Sequence, residues 1–94
     1  MKEDIGINEV ELGMVLLDKN GNKFVVIDRN LNGNDDYYSS LKVISEKEYS
    51  NNKGKIVSEK DLKTKRWIDY DEYHEDYEIC NKEYEIELER VFRF

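Results

Sequence analysis

Two groups of residues in this chain could carry chemistry: oxygen ligands at alternate positions, and a dense run of carboxylates interleaved with tyrosine. The first lies at Asp28-x-Asn30-x-Asn32-Gly33, with Asp36 following. This is the opening half of the calcium-loop pattern, in which alternate oxygens converge on one ion and glycine permits the sharp turn. The pattern then fails. Its twelfth position is Ser39 where a bidentate Glu is needed, and its eighth is Asp35 where an apolar residue is usual. Asp28, Asn30, Asn32 and Asp36 are thus a weak candidate cation site. A polar loop rich in Asn, Asp and Gly, which favours turns anyway, is the plainer expectation.

The second group is larger. Between Trp67 and Glu89 stand ten acids and one base, Lys82, while residues 1–66 hold twelve acids and twelve bases. The whole chain carries −7 over 94 residues; the window alone carries −9, offset only by Arg90 and Arg93. A field of this kind bears on partners more than on fold. The acids Asp69, Asp71, Glu72, Glu75, Asp76 and Glu78 alternate with Tyr70, Tyr73 and Tyr77, and Glu83, Glu85, Glu87 and Glu89 follow. On a strand, those last four project from one face every ~6.6 Å, a separation comparable in order with phosphates wound around a DNA cylinder. Tyrosine supplies anchors that charge alone does not. The opposing reading is a solvated face, because Glu alternating with apolar residues is what any amphipathic strand looks like.

Catalysis finds little equipment here. Cys80 and His74 are the only residues of their types and lie in an acidic stretch, which raises a thiol pKa and so disfavours a reactive thiolate. One Cys and one His do not make a zinc site. Among twenty-two acids some pair always exists, so the count says nothing about carboxylate-pair hydrolysis. The glycines are scattered and form no phosphate loop. The expectation is a protein that is not an enzyme and uses no cofactor.

The elements that must position these residues are mostly strands. Leu12–Asp18 and Lys23–Asp28 flank Lys19-Asn20-Gly21-Asn22, and Asn-Gly is a strong hairpin signal. A two-residue turn there pairs Leu17 with Phe24, Leu16 with Val25, Val15 with Val26 and Asp18 with Lys23. Apolar residues occupy both faces, which implies burial on both sides or a bend that lets each half feed a core. Tyr37–Ser45 reads as a third strand, Glu46–Lys53 as a polar loop anchored by Tyr49, and Gly54–Val57 as a short strand. Ile44-Ser-Glu-Lys-Glu-Tyr49 echoes Val57-Ser-Glu-Lys-Asp-Leu62, each a strand running into a serine-capped helical turn. Lys63–Glu78 is ambiguous, with a short helical segment expected near 68–78. Residues 83–94 alternate as a long last strand.

The sum is a mainly β single domain: a small SH3-like barrel or twisted antiparallel sheet of about five strands, with an α+β sheet as the alternative. Leu12-Gly-x-Val-Leu-Leu-x-x-x-Gly-x-x-Phe-Val-Val-Ile27 resembles the first hairpin of such barrels. No apolar stretch approaches the ~20 residues of a membrane span, the first residues carry no apolar leader, and one cysteine excludes an intrachain disulfide framework. A cytoplasmic setting is expected.

In size, charge and lack of catalytic equipment, the chain resembles the small acidic inhibitors that phages and mobile elements encode against host nucleases, including anti-CRISPR and anti-restriction proteins. The resemblance rests on no shared motif and assigns no residue; the expected partner-binding face is read from the acidic run itself, as Asp69, Tyr70, Asp71, Glu72, Tyr73, Glu75, Asp76, Tyr77, Glu78, Glu85, Glu87 and Glu89. The partner would be a basic protein surface on a host nuclease or other nucleic-acid-binding protein. Direct binding to nucleic acid or membrane is disfavoured, since phosphates are bound by Lys and Arg. Two rivals remain: an assembly role in a homo-oligomer or phage particle, and a cation-sensing domain using residues 28–36.

Overall fold

The first hairpin joins β1 (Met14–Asp18) to β2 (Lys23–Asn30) in a computed structural model that describes residues 5–52, 57–82 and 92–93. Its register is Val15 to Val25, Leu16 to Phe24 and Leu17 to Lys23, one residue away from the expected pairing. The turn chemistry explains the difference. Gly21 has φ of 85°, but no described residue other than glycine has a positive φ, so Asn20 does not take the first type I′ position. Lys19-Asn20-Gly21 instead make a three-residue loop, closed by the Asp18 amide on the Asn22 carbonyl at 3.0 Å and the Gly21 amide on the Asp18 carbonyl at 3.2 Å. This is the common arrangement of a type I turn followed by a left-handed glycine. The Asp18 carboxylate accepts from the amides of Asn22 at 2.8 Å and Asn20 at 2.9 Å, so it serves its own turn rather than Lys23. Those bonds, the Asn22 amide first, hold its pKa below the ordinary carboxylate value.

A one-residue slip exchanges the two faces of a strand pair. Here it puts Met14, Leu16, Phe24 and Val26 on one face and Val15, Leu17 and Val25 on the other. The remaining elements are β3 (Ser40–Ser45), α1 (Glu46–Asn52), β4 (Val57–Ser58), β5 (Arg66–Asp69), α2 (Tyr70–Asp76), β6 (Tyr77–Lys82) and β7 (Phe92–Arg93). Three 3-10 turns lie at Ile7–Glu9, Asp36–Tyr38 and Glu59–Asp61. The protein is mainly β: a five-stranded antiparallel sheet, ordered β5-β3-β2-β1-β6 and curled into a half-barrel, with two short helices among the described residues. β4 and β7 form a separate short parallel pair.

Two bulges bend the sheet. Ile27 is the extra residue between the Val26–Val43 and Asp28–Lys42 pairs, and Cys80 is the extra residue between the Val15–Asn81 and Leu16–Ile79 pairs. Bulges raise local twist, which is what a sheet needs in order to curl. The concave side holds Leu16, Val26, Leu41, Val43, Ile68 and Ile79, capped by Ile7, Val10 and Tyr73. Val15, Val25 and Ile44 point the other way, yet they too are buried, as are Tyr49 of α1 and nearby Leu62. The expectation of a hairpin buried on both sides holds.

Several expected boundaries shift. β3 begins at Ser40 rather than Tyr37, because Asp35 caps a 3-10 turn by accepting from the Tyr37 amide at 3.0 Å. The expected polar loop after β3 is helix α1, which Ser45 caps by accepting from the Glu48 amide at 3.1 Å. The second half of the echo is also a strand leading into a helical turn, β4 into Glu59–Asp61. Within Lys63–Glu78 the short helical segment expected near 68–78 is present, as α2. The same stretch also contains β5 and the start of β6, a strand the sequence pattern did not reveal. Of the expected last strand, Phe92–Arg93 is β7. Glu83, Glu85, Glu87 and Glu89 lie outside the described residues.

Candidate functional site

Helix α2 has one topological duty. It links β5 to β6, the two edges of the five-stranded sheet. Its seven residues rise only about 10 Å at 1.5 Å each, so the sheet must curl until its edges lie within that span. The helix then closes the open side of the half-barrel. Its inner face must be apolar and its outer face meets water.

The side chains follow this division. Tyr73 is buried in the core, and its hydroxyl donates to the Ile5 carbonyl at 2.8 Å. Tyr70 and Tyr77 are half-buried against the same core, with Tyr77 edge-on to Phe24 at 5.9 Å between ring centres. Burial pushes the Tyr77 phenol pKa up. Asp71, His74 and Glu75 are exposed. Asp69 is exposed at the helix start, where its carboxylate accepts from the Glu72 amide at 2.9 Å.

Two of the acids meet bases. Glu72 pairs with Arg66 of β5, and Asp76 with Lys19 of the first hairpin at 3.1 Å. These pairs cross the seam between the sheet edges and line an open hollow of about 230 Å³ with Asp18 and Tyr77. The opposite charges within this hollow answer each other, so it reads as a closing seam. Such exposed pairs contribute little to stability, roughly 0–1 kcal/mol, but they remove Glu72 and Asp76 from the outward field. Glu78 sits on β6 opposite Leu17, on the convex face and apart from the outer surface of α2.

A neighbour that the sequence reading assigned to a strand joins the site. The Asp36–Tyr38 turn packs on α2. Tyr37 stands 5.6 Å from Tyr70 between ring centres and 5.4 Å from Tyr38, and Tyr70 stands 4.4 Å from His74. Tyr37 and Tyr38 are 53% and 68% exposed. The Ile7–Glu9 turn also packs on α2. Together, the Ile7–Glu9 turn, the Asp36–Tyr38 turn and α2 hold Glu9, Asp36, Asp71, Glu72, Glu75 and Asp76 and no Lys or Arg. One pole of the molecule is thus acidic and aromatic, with Arg66 and Lys19 at one margin and Arg29, donating to the Val10 carbonyl at 3.0 Å, beside the Ile7–Glu9 turn. The clue to Tyr37 and Tyr38 was Asp35 two residues before Tyr37, a side chain placed to turn the chain locally.

Trp67 does not belong to this pole. It lies in β5 opposite Lys42 of β3, whose ammonium sits 4.9 Å from the ring centre, and is 46% exposed. Desolvation lowers the Lys42 pKa, with Asp28 opposing that shift.

The candidate cation ligands are spread along a different geometry from a calcium loop. Asp28 and Asn30 are extended within β2 and paired to Lys42 and Ser40. The Asn32 side-chain oxygen accepts from the amides of Asn34 at 3.0 Å and Asp35 at 3.2 Å. Asp28 accepts from the Arg29 amide at 2.8 Å. The oxygens serve the turn's own backbone, and no cluster of three His, Cys, Asp or Glu suited to a metal occurs among the described residues. Cys80, at its bulge, is exposed. No helix among the described residues is long and apolar enough to cross a membrane.

Comparison with known proteins adds no relative: no family model matches the chain, and no match was found among curated proteins or solved structures.

Proposed function

We propose that this chain is a non-enzymatic, cytoplasmic protein-binding module. Its acidic pole occupies the basic, nucleic-acid-binding surface of a partner such as a host nuclease, and so inhibits that partner by mimicry. The observation that carries this reading is the pole itself: three short helical elements without a Lys or Arg, bearing Asp71 and Glu75 outward beside exposed tyrosines. Asp71 and Glu75 are one helical turn apart, about 6 Å along the axis. That is the order of phosphate separations on a duplex. Charge of this kind speeds association and makes it salt-dependent, while the tyrosines supply contact area.

The test is charge reversal at Asp71 and Glu75 to Lys, with folding checked by circular dichroism. The variant loses capture of basic partners that the native chain holds at low salt. Equal capture by both chains refutes the reading.

A second reading, assembly as a homo-oligomer, is favoured by Trp67 on the edge strand β5. Sedimentation separates the two. Self-association that is insensitive to salt and abolished by Trp67→Ser supports assembly.

A further inference from the structure

Resting on the acidic-pole reading, we infer that the cluster of Tyr37, Tyr38, Tyr70 and His74 receives an arginine side chain of the partner in preference to lysine. The four rings run as a chain, Tyr38 to Tyr37 to Tyr70 to His74, with centres 5.4, 5.6 and 4.4 Å apart, and Tyr37 and Tyr38 are the most exposed tyrosines described. Tyr37 is inclined to Tyr38 by 85° and to Tyr70 by 51°, so the ring faces look in different directions rather than closing into one stack. Open faces of that kind can receive a flat group.

The surrounding charge selects its sign. Asp36 precedes Tyr37, Asp71 follows Tyr70 and Glu75 follows His74. Among the described residues, none of these three carboxylates forms an ion pair, unlike Glu72 and Asp76. An apolar partner would leave them desolvated beside it, and an anionic one would be repelled. A cation over a ring gains from the ring's quadrupole.

Shape selects between cations. Guanidinium is planar and weakly hydrated. It lies flat on a ring while its N–H fork reaches a neighbouring carboxylate. Ammonium is compact and strongly hydrated, and it keeps more of its water at an exposed site. Arginine is also what a nucleic-acid-binding surface offers, since it contacts phosphates and base edges.

The experiment titrates the intact chain with two peptides of equal length and charge, oligo-arginine and oligo-lysine, followed by calorimetry. The arginine peptide binds about two- to fivefold tighter, the worth of one exposed cation–π contact. Tyr38→Ala lowers arginine-peptide affinity more than lysine-peptide affinity and so removes that preference, whereas Tyr38→Phe keeps it. Tyr38 is the most exposed tyrosine of the cluster, so its loss spares the core, and circular dichroism verifies this. Equal affinities for the two peptides in the native chain overturn the arginine inference, while salt-dependent binding of both leaves the acidic pole standing. A preference that survives in both Tyr37→Ala and Tyr38→Ala also overturns it. Failure of both peptides to bind, even at low salt, overturns the inference and the acidic-pole reading together.

Discussion

Removing the carboxylate of Glu48 should loosen the attachment of β5, the strand from which α2 departs. Glu48 stands on α1 and reaches the turn before β5. One oxygen accepts from the Lys63 amide at 2.7 Å, and the other from the Thr64 amide at 2.8 Å and the Thr64 hydroxyl. The Thr64 hydroxyl oxygen in turn accepts from the Ser45 amide at 2.9 Å. One side chain therefore ties the end of β3 and the start of α1 to the approach of β5. A net hydrogen bond is worth about 0.5–1.5 kcal/mol, and more with a charged acceptor. The site is partly open, so water replaces some of what is lost, and Glu48→Ala is expected to cost about 2 kcal/mol in total. For a domain of this size that lowers Tm by about 8–16 °C. Urea unfolding followed by Trp67 fluorescence reads the change beside the affected turn, and Glu48→Gln, keeping one acceptor oxygen, falls between the two.

The same carboxylate gives a pH signature. Desolvation pushes its pKa up, but the Thr64 hydroxyl and the Thr64 and Lys63 amides outweigh it and leave the group below its ordinary value. A depressed folded pKa stabilises above the unfolded value, roughly 4.3, and that gain is lost as pH falls through the folded value. The difference between native chain and Glu48→Ala should be full at neutral pH and shrink in acid. Equal urea midpoints at neutral pH, or a gap that widens in acid, would refute the clamp.

Gly21→Ala forces alanine to φ near 85° and should cost about 1 kcal/mol in thermal unfolding. Native-like stability there would show that the hairpin closes by another turn. Tyr73→Phe leaves the Ile5 carbonyl without its donor and should cost about 1–2 kcal/mol, seen as faster amide exchange in α2. Tyr38→Ala should leave Tm unchanged while abolishing the arginine preference in peptide titration, which separates contact from stability.

The strands β1 and β2 were legible because their apolar runs are long and Asn20-Gly21 marks the reversal. The register was not, since Asn-Gly serves two- and three-residue loops alike and the choice was made by Asp18 bonding its own turn. Ser45 and Ser58 correctly announced strand ends leading into helical turns. The segment around α2 defeated periodicity because it changes conformation twice within a few residues. Trp67 and Tyr70 sit at helical spacing yet fall on opposite sides of the sheet, and β6 offers only Tyr77, Ile79 and Cys80 as apolar residues, too few to show a strand period. Of the site, the acids of α2 and its inward tyrosines were visible as an amphipathic pattern. Tyr37 and Tyr38 were not, because only the curl of the sheet brings the loop before β3 against α2. The partial neutralisation of Glu72 and Asp76 was equally hidden, since Lys19 is far from Asp76 in sequence and Arg66 meets Glu72, six residues on, only because β5 turns directly into α2.

The proposed role of the acidic pole, standing in for nucleic acid on a basic protein, can be tested directly. The most direct measurement immobilises the chain, loads host lysate at low salt, and elutes with duplex DNA, then compares the Asp71→Lys, Glu75→Lys variant. The account predicts nucleic-acid-binding proteins that are retained by the native chain, released by DNA or by added salt, and not retained by the variant. Proteins that DNA and salt fail to release, or that the charge-reversed chain retains equally well, would contradict it.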